Sequence, residues 1–271
     1  FTAIDKFYNN WPIARVVDNK TAYDRLFPDI PQPEVIAKRI NGLWRSGGGI
    51  FNGDMTELIL NESPSFLKIA NNSEGGRGVY YIDQSYTYGK LSELISSIKG
   101  DIVVQRPITQ SPSIARLNPS SVNTIRCLTL LRKDGTAKLY SSCLRIGIGD
   151  TKVDNASSGG CVAGINEDGY LKRYAYTPNG NRFVVHPASN IEFSTVRVPN
   201  FNKVKELVIK MALRMSYFRL VSWDIALDAN DDPILIEANL CSGGLNTHQL
   251  GNGPVFGDDT EEILKEVFHK R

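Results

Sequence analysis

The sequence predicts an α+β protein built on a large antiparallel sheet. Two Asp-Gly turns, at 134–135 and 168–169, each separate runs in which apolar and polar residues alternate, and this arrangement is typical of a β-hairpin. A third pair of such runs, at 221–227 and 234–239, flanks the turn-forming residues 228–233. Strands joined by short turns pair antiparallel, so we expect about six antiparallel strands with helices packed against them.

Length and composition limit the classes of function. The chain has 271 residues, 41% of them hydrophobic, which is enough to bury a sizeable core, and its net charge of +2 favours neither a nucleic acid nor an anionic membrane as partner. The four cysteines form no CxxC pair and are expected to be small buried side chains in a reducing compartment. No apolar run approaches the ~20 residues of a membrane span, and no signal peptide is visible. We therefore expect a cytoplasmic protein; its oligomeric state is not predicted.

The chain order suggests three segments: a remnant of an N-terminal subdomain (1–50), a central subdomain (51–106) and a C-terminal subdomain (107–271). The chain opens on Phe1 rather than Met, so we expect further residues before it. In the first segment, prolines at 28, 31 and 33 end a short helix, and the glycine run 46–49 predicts a flexible joint. Helices are expected at 20–26, 90–99, 202–220 and 261–269.

Residues 66–82 predict a strand, a glycine-rich loop and a second strand. Glycines let the backbone N–H groups of such a loop approach a polyphosphate closely. Lys68 lies inside the apolar first strand, and a phosphate beyond the edge of the sheet is one destination for its ammonium group. The alternative is an edge-strand lysine that reaches solvent beside an ordinary turn.

The hairpin at 221–239 gathers three oxygen-bearing side chains. Asp224 lies near the start of its first strand, and Glu237 and Asn239 lie at the end of its second strand. Antiparallel pairing brings these positions to one end, and residues two apart on a strand share a face. Carboxylate and amide oxygens suit Mg²⁺ or Mn²⁺. The alternative is that Asp224 is a solvated strand residue and Glu237 a surface partner of a lysine.

The order of these parts resembles the ATP-grasp superfamily over most of the chain. Lys20 looks like the first ATP-contacting lysine of that family, and Lys68 with the loop 73–79 looks like its second lysine and glycine lid. Val103-Val-Gln-Arg-Pro-Ile108 resembles the hinge whose backbone pairs with adenine. Asp224, thirteen residues before Glu237, with Asn239 two further on, matches the metal constellation. The closer resemblance, carried by residues 118–126, 153–160 and 223–226, is to a branch found beside sugar-transfer and capsule genes.

The resemblance implies an ATP-grasp fold, in which a small lid subdomain is hinged to a larger antiparallel sheet, with ATP and Mg²⁺ (or Mn²⁺) as cofactors. It implies metal binding by Asp224, Glu237 and Asn239. It also implies ATP binding by a larger set of residues: Lys20, Lys68, Ser73, Gly75, Gly76, Gly78, Gln105, Arg106 and Ile108. The family usually has an acidic residue where Gln105 and Arg106 stand, which leaves the ribose-binding group open.

The implied activity is ATP-dependent ligation of a carboxylate to an amine through an acylphosphate, in polysaccharide or cell-surface modification. The acceptors are small-molecule carboxylates and amines or a sugar-linked substrate. Ser222 stands where related ligases often carry an arginine, so Arg126 is the candidate catalytic cation beside Lys68. The alternative is that Arg126 pairs with a nearby acid. Two small, glycine-bearing loops are the candidate acceptor pocket: Asn155, Ser157, Ser158, Gly159 and Gly160 in one, and Ser242, Gly243 and Gly244 in the other.

Two further functions stay open at this point. One is a kinase on the same scaffold, which leaves the phosphate on an alcohol or sugar, and the other is a nucleotide-binding module without turnover. Three histidines make a Ser-His-Asp or Cys-His nucleophile a poor alternative. His248 follows the metal hairpin closely and is expected either to touch substrate or to be a structural loop residue.

Overall fold

The computed structural model describes residues 1–71, 78–149, 159–241 and 243–268. In chain order, the helices of the described residues are α1 Thr2–Tyr8, α2 Trp11–Val17, α3 Tyr23–Leu26, α4 Met55–Asn61, α5 Tyr88–Ser97, α6 Pro112–Ala115, α7 Phe201–Arg214, α8 Leu245–Asn252 and α9 Thr260–Phe268. The strands are β1 Val35–Ile40, β2 Leu43–Ser46, β3 Gly49–Ile50, β4 Ser65–Ile69, β5 Val79–Ile82, β6 Ile102–Gln105, β7 Thr124–Leu131, β8 Ala137–Ile146, β9 Cys161–Ile165, β10 Leu171–Tyr176, β11 Arg182–Phe183, β12 Leu220–Leu227 and β13 Pro233–Asn239.

The chain divides into two compact units. The small unit comprises residues 19–108, and the large unit comprises residues 1–18 with 109–271. This division differs from the three consecutive segments expected from the sequence. Because β1 pairs antiparallel with β6, residues 19–50 fold with 51–108 in one unit rather than as a separate remnant, while the first helices belong to the large unit.

The small unit contains a six-stranded antiparallel sheet in the order β3-β2-β1-β6-β4-β5. Its core includes Leu67 and Val104 of the sheet, Ile59 of α4 and Leu91 of α5, all of them buried. The side chain of Asp54 caps α4 by accepting a hydrogen bond from the Glu57 backbone N–H. The flexible joint expected at 46–49 was wrong. Gly47 and Gly48, with φ of 59° and 85°, form the tight turn between β2 and β3, a conformation that glycine adopts readily.

The large unit contains a seven-stranded antiparallel sheet in the order β11-β10-β9-β8-β7-β12-β13. The two Asp-Gly hairpins and the 228–232 turn between β12 and β13 are confirmed. Helix α7 packs against β7 and β8. It ends at Arg214 rather than near 220, because residues 215–218 turn the chain into β12 through a bond from the Phe218 N–H to the Met215 carbonyl.

The α+β class with antiparallel sheets is thereby confirmed. Helix α8 packs against β8, β9 and β10. It approaches so closely that a side chain at Gly164 of β9 would meet the Gly251 carbonyl oxygen at 2.3 Å. None of the helices in the described ranges has the length and apolar character needed to cross a membrane.

Candidate functional site

The register of the large sheet aligns four residues across neighbouring strands. Cys143 of β8 is paired with Arg126 of β7, Arg126 with Asp224 of β12, and Asp224 with Glu237 of β13. Directly opposed residues share one face of a sheet. We call Cys143, Arg126, Asp224 and Glu237 the cross-strand row. It brings the two predicted metal-binding carboxylates together on one face.

Asn239 completes the predicted trio. It lies two residues beyond Glu237 on the same face of β13, and its side chain forms a hydrogen bond with Asp224. Its Nδ2 also donates to the Ser222 carbonyl at 3.1 Å. Because Nδ2 is the donor in these bonds, Oδ1 is the atom available in kind for a cation. The structure therefore brings Asp224, Glu237 and Asn239 together.

Asp224 is buried and surrounded by N–H donors. Arg126 binds it in two-pronged fashion, Nε to Oδ1 and Nη2 to Oδ2, both at 2.7 Å. Arg145 adds a bond from Nη1 to Oδ2 at 2.9 Å. Burial by itself raises the pKa of Asp224, but the two guanidinium groups outweigh it and hold that pKa at about 2. Asp224 is thus a permanent anion that two cations share.

Arg126 is engaged by the acid that the sequence analysis left unnamed as its alternative partner. Burial by itself lowers the pKa of Arg126, and the contact with Asp224 raises it above its ordinary value. Its third nitrogen, Nη1, points to the loop before α8, where a side chain at Gly244 would meet it at 3.1 Å. Gly244 has φ of 72°, so both the backbone conformation and this close approach require glycine there. The predicted catalytic cation and the second predicted acceptor loop are therefore neighbours.

The sequence analysis missed Arg145. This arginine lies on β8, two residues from Cys143, and is buried beside Asp224. The signal was present: a single cation stands between Leu144 and Ile146 in an apolar strand, the same pattern that drew attention to Lys68. A buried cation needs an anionic partner, but the local pattern does not say which one.

The donor types fit a hard divalent cation, with one condition. Two carboxylates and an amide oxygen on one face are the ligands that Mg²⁺ prefers. Throughout the described ranges, no three His, Cys, Asp or Glu side chains are grouped to hold a metal ion, so Asn239 has to complete any set. Asp224 already accepts three bonds from Arg126 and Arg145. A cation that uses Asp224 must share or replace these bonds.

His248 lies beneath this site, in α8 rather than in a loop, and is fully buried. Its ring nitrogens contact the hydroxyl groups of Ser141 at 2.9 Å and Ser222 at 3.2 Å. The Ser222 hydroxyl donates to the Gly243 carbonyl. Burial, reinforced by the nearby Arg126, lowers the pKa of His248 to about 3, so the ring is neutral near pH 7. His248 and Ser222 therefore tie the 243–244 loop to the sheet as structural residues.

The small unit places Lys68 beside Gln105. Lys68 projects from β4 on the same face as Gln105 of the adjacent β6, and its Nζ donates to Gln105 Oε1 at 2.9 Å. The backbone N–H of Lys20 bonds the Ala70 carbonyl, just past the end of β4. Gly78 lies at the start of β5, and its carbonyl accepts from the Ile69 N–H at 2.8 Å. Lys20, Lys68 and Gln105 thus lie around the end of one strand.

Arg106 turns away from this group. Its Nε bonds Glu34 Oε2 at 2.9 Å, and its Nη2 contacts Glu62. Ile108 is the last residue of the small unit and is half-buried. In the large unit, Gly159 and Gly160 immediately precede β9. Several predicted site residues lie outside the described ones: Ser73, Gly75, Gly76, Asn155, Ser157, Ser158 and Ser242.

The 118–126 motif is largely a scaffold. Asn123 donates from Nδ2 to the Asn118 carbonyl at 3.0 Å, and Gln110 donates to the Ser121 carbonyl at 2.7 Å. A side chain at Gly147 would meet Asn118 Nδ2 at 2.3 Å. The buried polar residues thus fix the entry to β7, which carries Arg126, and the chain just after β8.

Comparisons with known proteins agree with these features. The family model described as sugar-transfer associated ATP-grasp matches residues 2–265. A search of curated proteins found no match.

Three solved structures illustrate the likeness in fold. The ATP-grasp ligase PsnB with minimal precursor, Mg and ADP has a TM-score of 0.54 and 11% identity, covering 96% of this chain and 62% of that chain. PsnB with precursor peptide PsnA2 and AMPPNP has a TM-score of 0.54, 12% identity and the same coverage. The ADP complex of the N5-carboxyaminoimidazole ribonucleotide synthetase purK has a TM-score of 0.49 and 10% identity, covering 87% of this chain and 50% of that chain. The likeness to PsnB confirms the ATP-grasp fold, and the chain spans about 62% of PsnB and half of purK.

Proposed function

The chain belongs to the sugar-transfer-associated ATP-grasp family, and we propose that it is an ATP-dependent ligase that joins a carboxylate to an amine. The observation that carries the proposal is the cross-strand row with Asn239. It places two carboxylates, an amide and an arginine on one face of the large sheet. Lys68 and Lys20 at the end of β4 support the same proposal from the small unit.

The chemistry asks for positioning and charge neutralisation rather than a protein nucleophile. A carboxylate does not react with an amine in water because its oxygen is a poor leaving group. Transfer of the γ-phosphoryl group of ATP to the carboxylate gives an acylphosphate and ADP, and the amine then displaces phosphate. Catalysis of this kind rests on binding the phosphates and the acceptor in line.

Each candidate residue has a role in that scheme. Lys20 and Lys68 bind the phosphates, and Gln105 orients the Lys68 ammonium through a neutral oxygen. A divalent cation, when bound by Glu237, Asn239 and Asp224, supplies charge neutralisation at the phosphates. The complexes of PsnB with Mg and ADP and with AMPPNP support this assignment by analogy in fold.

Arg126 serves the acceptor. Asp224 holds its Nε and Nη2, so its orientation is set by the sheet, and its Nη1 faces the 243–244 loop. That nitrogen binds the acceptor carboxylate or the transferred phosphate. The loops at 155–160 and 242–244 line the acceptor pocket, and the family's association with sugar transfer favours a sugar-linked or cell-surface substrate.

The test is a product assay. The protein is incubated with ATP, Mg²⁺ and panels of carboxylic acids and amines, while ADP, free phosphate and product mass are followed. A ligase produces ADP and phosphate in equal amounts, together with a condensed product that contains no phosphate. Absence of ADP across broad panels contradicts the proposal and leaves the non-catalytic module.

A kinase on the same scaffold is the second candidate, because the cross-strand row fits any phosphoryl transfer. A kinase gives ADP without free phosphate, and the phosphate stays on the product. The same assay therefore separates the two candidates.

A further inference from the structure

The surroundings of Asp224 are electrically balanced. Two guanidinium groups, of Arg126 and Arg145, meet the carboxylates of Asp224 and Glu237 on one face of the sheet. Asp224 Oδ2 alone accepts from both arginines, at 2.7 and 2.9 Å, and Asn239 donates to the same carboxylate. A carboxylate offers about four acceptor positions. A cation therefore meets a carboxylate whose hydrogen-bonding capacity is already used.

Removing one of these bonds has a consequence for the arginine as well. The Arg145 side chain is 9% exposed and that of Asp224 is 4% exposed. A buried guanidinium that loses its carboxylate is costly unless another anion replaces it. Phosphate is a suitable replacement, because a guanidinium binds its oxygens in two-pronged fashion.

We propose that Arg145 competes with the divalent cation for Oδ2 of Asp224, so that the large unit binds the metal tightly only together with a polyphosphate that takes over the arginine. The inference rests on the proposed function, since it concerns the same metal and nucleotide. It adds a role for Arg145, a positioning residue, and an order to the binding: metal and nucleotide enter together. Arg145 thereby acts as the charge that keeps free metal out.

The test measures metal binding rather than turnover. Mn²⁺ is titrated into the full chain and followed by electron paramagnetic resonance, with and without a non-hydrolysable ATP analogue. We expect the wild-type protein to bind Mn²⁺ weakly alone and at least about tenfold more tightly with the analogue. Arg145→Met should raise the affinity for Mn²⁺ alone by about tenfold, because a competing charge next to the ligand is lost.

Two further variants make the test specific. Arg145→Gln keeps an N–H donor for Oδ2 but removes the charge, so it should behave like Arg145→Met, and it serves in place of that variant if Arg145→Met fails to fold. Arg219→Met removes a cation of the large unit that pairs with Glu266 at 2.9 Å, and it should leave Mn²⁺ affinity unchanged.

Unchanged or weaker Mn²⁺ binding in both Arg145 variants overturns the inference, because Arg145 would then be neutral toward the metal or needed to hold Asp224 for it. Tight binding of Mn²⁺ alone by the wild-type protein overturns it as well. These outcomes are independent of the proposed function, which fails separately if the protein forms no ADP.

Discussion

At the scale of the residue, neighbours on adjacent strands set the chemistry of each side chain. Asp224 would be an ordinary carboxylate in water, yet burial beside Arg126 and Arg145 holds its pKa at about 2. Arg126 likewise has its direction in space set by Asp224. The row works as a unit, so a change at one member alters the others.

Glu237 should be essential for turnover but not for folding. Glu237→Ala removes a proposed metal ligand on a half-buried position of β13, and we expect ADP formation to fall by at least about 100-fold. The measurement is ADP release, with circular dichroism as the check on folding. Glu261→Ala is the matched control, because that acid is exposed and pairs only along α9 with Lys265. ADP release that persists at the wild-type rate would rule out Glu237 as a ligand.

Arg126→Lys tests the two-pronged bond. Lysine keeps the charge but cannot make the paired bonds to Asp224, so the acceptor group loses its orientation. We expect ADP formation to fall by about 100-fold, while the dissociation constant for ATP changes by less than about threefold. Arg132→Lys, at an arginine that contacts Asp259 at 2.6 Å, is the control. Equal losses of turnover and ATP affinity would mean that Arg126 serves the nucleotide or the fold instead.

At the scale of the element, α8 and the loop before it depend on a buried polar network. His248 connects Ser141 of β8 with Ser222 of β12, and Ser222 in turn holds the Gly243 carbonyl. Three elements that are distant in sequence therefore meet at one imidazole ring. The network is satisfied only while that ring stays neutral, because burial disfavours the charged form.

This network predicts a pH dependence of stability. Burial lowers the pKa of His248 from 6.5 to about 3. As pH falls below 6.5, the unfolded chain takes up a proton at this position and the folded protein does not, so the free energy of unfolding decreases down to the folded pKa. The slope contributed by His248 is at most about 1.4 kcal/mol per pH unit.

His248→Gln removes this contribution. Urea unfolding between about pH 7 and pH 5 should show a flatter pH profile for the variant than for the wild-type protein. His186, whose pKa burial also lowers, is present in both and cancels in the comparison. Asp224 does not interfere, since its contribution to stability is lost only below about pH 4. Parallel profiles would show that His248 is not the buried neutral ring described here.

At the scale of the whole molecule, the first residues of the chain complete the large unit. Asn9 is buried, and its Nδ2 donates to the carbonyls of Leu220 at 2.6 Å and Leu240 at 2.9 Å. Its Oδ1 accepts from the Leu220 N–H at 3.2 Å. These bonds join the start of β12 to the residue that follows Asn239. The end of the hairpin is therefore held by a segment far away in the chain.

Asn9→Ala should destabilise the large unit by about 2–4 kcal/mol, because it leaves buried backbone groups without partners. Chemical unfolding followed by the fluorescence of Trp223, which is buried in β12, measures the loss. Asn10→Ala is the control at the adjacent, exposed position, where the side chain forms no cap bond to α2; it should cost less than about 0.5 kcal/mol. Similar effects of both substitutions would contradict the role of Asn9.

The sequence by itself determined what is local. The Asp-Gly hairpins, the strand–loop–strand around Lys68 and the spacing of Asp224, Glu237 and Asn239 follow from turn chemistry and from the two-residue period of a strand, and each was found as predicted. The extra helices α4 and α8, the tight turn at 47–48 and the membership of residues 1–18 in the large unit were not, because packing rather than pattern decides them.

Only the tertiary structure decided which cations meet Asp224. Arg126 and Arg145 are 98 and 79 residues away in sequence, and they reach it because β7 lies between β8 and β12 in a particular register. Strand order and register between distant segments depend on which arrangement buries the most apolar surface and satisfies the buried charges together. No local pattern carries that information, so the metal trio was visible in the sequence and its arginine competitor was not.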